Sequence, residues 1–156
     1  MTSVRRAGFD EVGAAVRVWQ AANPDSTVPE HADSLRGWAL DPDALLLVAD
    51  SGDRLVGMVL VLPGRDQDGA GGLLPELRHL TGLAVLPESR RSGIGSALLD
   101  TALREAAARD AARVTLWTAE DNADAQRLFV SRGFAPTGRS GRDSGGTVML
   151  HFERSG

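Results

Sequence analysis

The run Arg90-Arg91-Ser92-Gly93-Ile94-Gly95 stands between an apolar stretch at residues 80–86 and a helix-like stretch at residues 96–108. A glycine-rich turn that feeds a helix presents backbone N–H groups with no side chain in front of them, and the positive end of the helix adds to their attraction for phosphate oxygens. Such a turn, closed by Ser96, can cradle a pyrophosphate. Arg90 and Arg91 supply local positive charge in a chain whose 17 basic and 21 acidic residues leave a net charge of -4. The plainer reading is a surface turn whose glycines relieve the backbone. A dinucleotide-binding unit fits poorly, because the glycines fall after residue 90 and no strand-end acidic residue follows about 20 positions later.

The turn needs a strand before it and a helix after it, and the surrounding pattern provides both. Residues 77–86 read as a strand leading through Pro87 to the turn, and the helix beyond buries Ile94, Leu98, Leu99, Ala102, Leu103 and Ala106. Upstream, residues 3–7 suit a short strand. Residues 10–22 suit a helix capped by Asp10, with Val12, Val16 and Trp19 at helical spacing and Asn23-Pro24 as its stop. A second helix at 29–40 would pack through Leu35 and Trp38. Residues 44–49 and 55–62 flank Asp50-Ser51-Gly52-Asp53 and read as a hairpin. Residues 64–72, rich in glycine and acidic or amide side chains, read as a mobile surface loop placed to act as a lid. Downstream come a strand at 113–118, a helix capped by Asp121 or Asn122 and presenting Ala125, Leu128 and Phe129, a left-handed stop at Gly133, and strands at 134–139 and 147–152. This order implies an α/β (α+β) fold: a mixed sheet of about six or seven strands flanked by about four helices.

Length and composition narrow the class. The 156 residues suit one domain over positions 1–156. With no cysteine there is no disulfide framework, thiolate metal site or cysteine nucleophile, and no metal is expected. The N-terminus lacks a signal-peptide core, and no apolar run approaches the roughly 18 residues of a membrane span. A cytoplasmic protein without membrane or nucleic-acid partners is the expectation.

The segment Leu83-Ala84-Val85-Leu86-Pro87-Glu88-Ser89, the glycine turn, and Ser96-Ala97-Leu98-Leu99 together resemble the acyl-CoA-binding core of the Gcn5-related N-acetyltransferase (GNAT) superfamily, with its Gln/Arg-x-x-Gly-x-Gly/Ala pattern. Residues 122–134, running from Asn122 to the Gly133-Phe134 pair, resemble a second family segment. The resemblance covers essentially the whole chain and implies transfer of acetyl from acetyl-CoA to a primary amine by direct attack in a ternary complex, with a small-molecule acceptor favoured. Two alternatives stand beside it: a non-catalytic acyl-CoA-binding module on the same fold, and acetylation of a protein amine. The family also makes a homodimer an expectation.

By that resemblance the donor contacts are Leu83, Ala84 and Val85 on a strand that splays from its neighbour, the turn residues Arg90, Arg91, Ser92, Gly93, Ile94, Gly95 and Ser96, and Asn122 and Phe129. The amide of Val85 is the expected donor to the thioester carbonyl. The acceptor poses a second problem, since an alkylammonium with a pKa of about 10 is only about 0.1% neutral at pH 7. His79, at a strand position where several relatives carry a catalytic glutamate, and Glu76 are the candidate bases. Each also has a plainer reading, as a packed or solvated residue. His31 and His151 are expected to be structural. Many members place a tyrosine where Phe129 stands, to protonate the leaving thiolate; this chain has no tyrosine at all, leaving Ser131 or water. Asp25, Glu30, Asp33, Asp66 and Asp68 could favour a cationic acceptor.

Overall fold

The computed structural model describes residues 2–24, 29–66, 70–143 and 145–155, with the side chains of residues 29 and 30 excepted. In chain order these form β1 (Ser3–Arg6), α1 (Val12–Ala22), α2 (Pro29–Ala39), β2 (Leu45–Asp50), β3 (Leu55–Arg65), β4 (Leu73–Val85), α3 (Ile94–Ala108), β5 (Arg113–Ala119), α4 (Ala123–Ser131), β6 (Ala135–Arg142) and β7 (Val148–Ser155). The strands make one sheet in the order β1-β2-β3-β4-β5-β7-β6. Every neighbouring pair is antiparallel except β4 and β5, which run parallel. The expected mixed sheet with four helices is therefore present.

Helices cover the sheet on both faces, so its inner strands read as continuous apolar runs rather than alternating ones. On one face Leu98, Leu99 and Ala102 of α3 and Phe129 of α4 bury Val59, Val61, Leu80, Val114 and Leu116. On the other, Val12, Ala15 and Val16 of α1 and Ala32, Leu35 and Ala39 of α2 cover Leu46, Val48, Met58 and Leu60. Trp38, expected among the packing residues of α2, is instead 46% exposed. The small Ala32 and Ala39 let the helix sit close without it.

The entry to α1 differs from expectation as well. Asp10 makes no cap; a short 3-10 turn over Phe9–Glu11 precedes the helix, and the Glu11 carboxylate accepts the N–H of Gly8 at 3.1 Å. The same carboxylate takes both Nη atoms of Arg5, at 2.8 and 2.7 Å, while Nε and Nη2 of Arg5 also donate to Asp50. One guanidinium thus ties β1, the start of α1 and the end of β2 together.

Residues 64–72 are not simply a surface loop. β3 continues through Gly64 to Arg65, which pairs with Leu73, and β4 starts four residues earlier than the sequence suggests. A Cβ on Gly64 would stand 2.5 Å from the carbonyl oxygen of Leu77, so glycine is here a condition of close strand approach rather than of looseness. The proposed lid tip, residues 67–69, lies outside the described residues. Helix α3 begins at Ile94, inside the turn rather than after it.

Two expectations follow. Gly64→Ala forces Leu77 and the β3–β4 pair apart and should cost about 1–3 kcal/mol of stability in urea unfolding; an unchanged midpoint would contradict the close approach. The Arg5 hydrogen bonds first, and the Gly8 N–H second, lower the Glu11 pKa from the ordinary 4.5 to about 2. Because the folded value is the depressed one, the stabilisation is complete above the ordinary value and is lost as pH falls through about 2. Melting temperature should therefore fall between these limits in the wild type and fall less in Glu11→Gln. Parallel acid slopes in the two proteins would remove Glu11 from the acid response.

Candidate active site

Parallel pairing between β4 and β5 runs from Leu77–Arg113 to Leu80–Leu116 and then stops. Beyond that rung β5 continues through Trp117, Thr118 and Ala119 paired only to β7, and β4 continues through Val85 paired only to β3. The cause lies in β4. Its register against β3 shifts by one residue between the Met58–Ala84 and Leu60–Thr81 pairs, and Gly82 sits within the bulge at φ +69°. A left-handed residue in a bulge favours glycine, and a Cβ there would also stand 3.0 Å from both Leu35 and Met58. Past the bulge, the N–H of Leu86 donates to Val56 across β3 at 2.9 Å. Alternation then turns the N–H of Val85 the other way, into the opening between β4 and β5.

The glycine turn closes the same end of β4. Arg91 (φ 63°) and Gly93 (φ 81°) both take left-handed conformations, and α3 starts with no side-chain cap. Its first intrahelical bond runs from the N–H of Ala97 to Gly93, so the preceding N–H groups have no helical partner. A Cβ on Gly93 meets nothing within 4 Å, and one on Gly95 only Val85 and Leu128 at 3.8 and 3.9 Å. Neither glycine is required by the fold's own packing at its Cβ. Ile94 is buried, so its side chain belongs to the core and only its backbone faces the turn. Ser92 donates its hydroxyl to the carbonyl of Ser89, and Ser96 is half-buried in the first turn of α3. Arg90 donates to the carbonyl of Ala22 at 3.0 Å and to that of Val85 at 3.4 Å, lashing the turn to the end of α1. Arg91 remains exposed.

His79 lies one rung before the opening. It pairs with Leu62 on one side and Thr115 on the other, which places it on the α1/α2 face, and its Nδ1 is 2.9 Å from the Thr115 hydroxyl. On the same face Trp117 meets His151 at 4.8 Å between ring centroids, and the guanidinium of Arg139 lies 5.5 Å over the indole. His151 is itself buried, with Nδ1 2.9 Å from the hydroxyl of Thr137. Nε2 of His31 on α2 reaches within 3.8 Å of Asp143 beyond β6, and its ring meets Trp19 edge-on. The three histidines thus serve one sheet face.

Glu76 is held elsewhere. Its carboxylate accepts from Arg113 at 3.4 Å, and Arg113 also donates to Glu153 at 3.1 Å, at the end of β4 and β5 where the strands are still paired. Asn122 accepts the N–H of Ala125 at 3.1 Å and so caps α4, as one of its two expected roles requires. Phe129, expected as a donor contact, has its ring 5% exposed and packed against Phe134 and Phe152 at 5.9 and 6.4 Å. A phenyl group with no polar atom gains more from the core than from a polar channel. Ser131 donates to Leu128 within its own helix. Of the acidic residues expected near an acceptor, Asp33 pairs with Arg36 at 3.1 Å, whereas Asp25, the Glu30 side chain and Asp68 lie outside the described residues. Sequence reasoning missed Thr115, Trp117 and Arg139. Thr115 meets His79 through the parallel register of β4 on β5, and Trp117 and Arg139 come together through the β5-β7-β6 order, neither of which a local pattern announces.

No cluster of three or more His, Cys, Asp or Glu side chains able to hold a metal occurs among the described residues, nor is any described helix long and apolar enough to cross a membrane. The sequence profile described as "Acetyltransferase (GNAT) family" matches residues 14–134. An uncharacterised N-acetyltransferase of Mycobacterium bovis is 30% identical over 140 residues, spanning 83% of this chain and 84% of that protein. Among solved structures, the ribosomal-protein-S18-alanine N-acetyltransferase of Escherichia coli superposes with a TM-score of 0.79 at 19% identity, over 99% of this chain and 94% of that one. The PaiA N-acetyltransferase of Thermoplasma acidophilum, solved in complex with coenzyme A, gives 0.67 at 16% identity, over 100% and 99%. The parted strands and uncapped glycine turn are thus set in a chain that belongs to the GNAT family and is an N-acetyltransferase.

Proposed function

We propose that this chain, as one domain, transfers the acetyl group of acetyl-CoA to the primary amine of a small molecule. The observation that carries the reading is the opening between β4 and β5, with the Val85 N–H turned into it, the uncapped turn at its end and His79 one rung before it. The backbone N–H groups of residues 91–96 would hold the pyrophosphate, and the room above Gly93 and Gly95 fits that approach. Leu83, Ala84 and Asn122 would border the pantetheine arm. Acetyl-CoA supplies an acyl group already activated as a thioester.

The Val85 N–H would then stabilise negative charge developing on the thioester carbonyl oxygen, a contribution of roughly 3 kcal/mol for one well-placed donor. His79, its ring oriented through Thr115, would take the proton from the attacking amine directly or through one water. The amine nitrogen bonds to the acyl carbon, the C–S bond breaks, and the thiolate takes its proton from solvent. Glu76 is the weaker candidate, since Arg113 engages its carboxylate three residues further from the opening. A small acceptor is favoured over a protein chain because the His31–Asp143 contact spans from α2 to the β6–β7 turn across this sheet face and narrows the approach to it.

A thiol-release screen with acetyl-CoA against polyamines, amino acids, aminoglycosides, simple amines and lysine peptides tests the acceptor class. Turnover with peptides alone would overturn the small-molecule reading. Gly95→Val should weaken CoA binding in calorimetry at least about tenfold while the far-UV spectrum stays native; equal affinity would remove the turn from the donor site. His79→Ala should lower kcat/KM about 100-fold at neutral pH and less at high pH, where more of the amine is already neutral. Wild-type turnover should rise with pH and then level, because Phe129 has no proton to lose. Full activity of His79→Ala at pH 7 would transfer the base role to Glu76 or water.

A further inference from the structure

A separate cavity of about 410 Å³ opens at the N-terminal half of β4, between the ends of β1 and β3, the segment before β2 and the end of α3. Three of its lining side chains are arginines, Arg6, Arg78 and Arg109, and one is an aspartate, Asp43. We propose that this cavity binds a small organic anion, with a phosphate or carboxylate on the arginines and an apolar body against the walls.

The arginines differ in how far their charge is already answered. Arg5 and Arg6 are neighbours on one strand, so their side chains leave opposite faces. Arg5 is spent on Glu11 and Asp50, whereas Arg6 has no ion-pair partner among the described residues. Arg78 directs Nη1 at the carbonyls of Pro75 and Leu77, at 3.2 and 3.0 Å, which holds its guanidinium at the cavity with other donors to spare. Arg109 carries a 2.7 Å ion pair to Glu105 and stands at the C-terminal end of α3, where its charge offsets the negative helix end. Counting Asp43 and Glu105 against the three guanidiniums leaves a local excess of positive charge in a chain whose net charge is -4. That excess is one positive charge, which the first negative charge of a bound carboxylate or phosphate would answer.

The walls select for more than charge. Pro42, Pro63 and Pro75 contribute rigid apolar surface, and the exposed Leu73 extends it. A purely inorganic anion would leave those surfaces wet. The cavity is also not an outlying part of the donor site. The glycine turn lies at the N-terminal end of α3 and Arg109 just past its C-terminal end, roughly 22 Å apart at 1.5 Å per residue over the helix's 15 residues. Arg78, likewise, precedes Val85 by about 20 Å of strand.

Calorimetric titration of the full chain with phenyl phosphate, with and without saturating CoA, tests the proposal. Expected is saturable binding that CoA leaves in place, weakened about fivefold in Arg6→Gln and again in Arg78→Gln, with inorganic phosphate about tenfold weaker than phenyl phosphate. Thermal melts would establish that both variants are folded. Absence of saturable binding up to about 10 mM, equal affinity in folded variants and wild type, or binding that CoA abolishes would each overturn it, the last by assigning the phosphate to the glycine turn.

Discussion

A parallel strand pair cannot stop pairing midway without leaving N–H and C=O groups that something else must satisfy. β4 and β5 do stop, after Leu80 and Leu116, and neither strand ends there. Each stays paired to its other neighbour, β3 for β4 and β7 for β5, so both strands continue past the parting. The bulge at Gly82 adds the twist that sends the two directions apart. Leu83 and Val85 pack their side chains against the core, and the carbonyl of Val85 is taken by Arg90, which leaves its N–H as the ordered group turned into the opening.

The same parting separates the work of the two sheet faces. On the α3 face the phenylalanines of α4 and the last strands fill the space, and Asp100 on α3 receives Arg132 at 2.8 Å beyond the end of α4, fixing the two helices over that core. On the α1/α2 face the helices cover only the first half of the sheet. β5, β7 and β6 carry Thr115 and His151, both buried, beside Trp117 and Arg139 on the same face. Under the proposed function, an acyl donor held in the opening would be reached from that face near His79.

Much of this was legible before any coordinates. The glycine turn, the apolar run before it and the helix after it are local signals, and so are the Gly52 hairpin and the Asn122 cap. The misses have physical causes. Residues 64–72 read as loop because glycine is a breaker in isolation, whereas Gly64 is used for its lack of volume beside Leu77. Asp10 looked like a cap because Glu11's partners, Arg5 and Asp50, come from distant positions. Thr115 as the partner of His79 depends on the parallel register, which is set by packing across α3 rather than by either strand alone. The family resemblance supplied what local pattern could not, namely that the strand should splay.

Phe129 shows where resemblance has to yield to packing. A tyrosine at that position would need its hydroxyl to reach a polar partner, because burying an unsatisfied hydroxyl costs on the order of 1–3 kcal/mol. Phenylalanine removes the requirement, and the ring settles against Phe134 and Phe152 in a cluster that also joins α4 to the end of the sheet. The position thereby contributes core packing and no proton donor. Under the proposed reaction that is tolerable, since a thiolate at neutral pH is a far weaker base than an alkoxide and can take its proton from water. Under the proposed reaction the demanding proton is the one on the acceptor's nitrogen, and His79, one rung before the opening, is of the type suited to receive it.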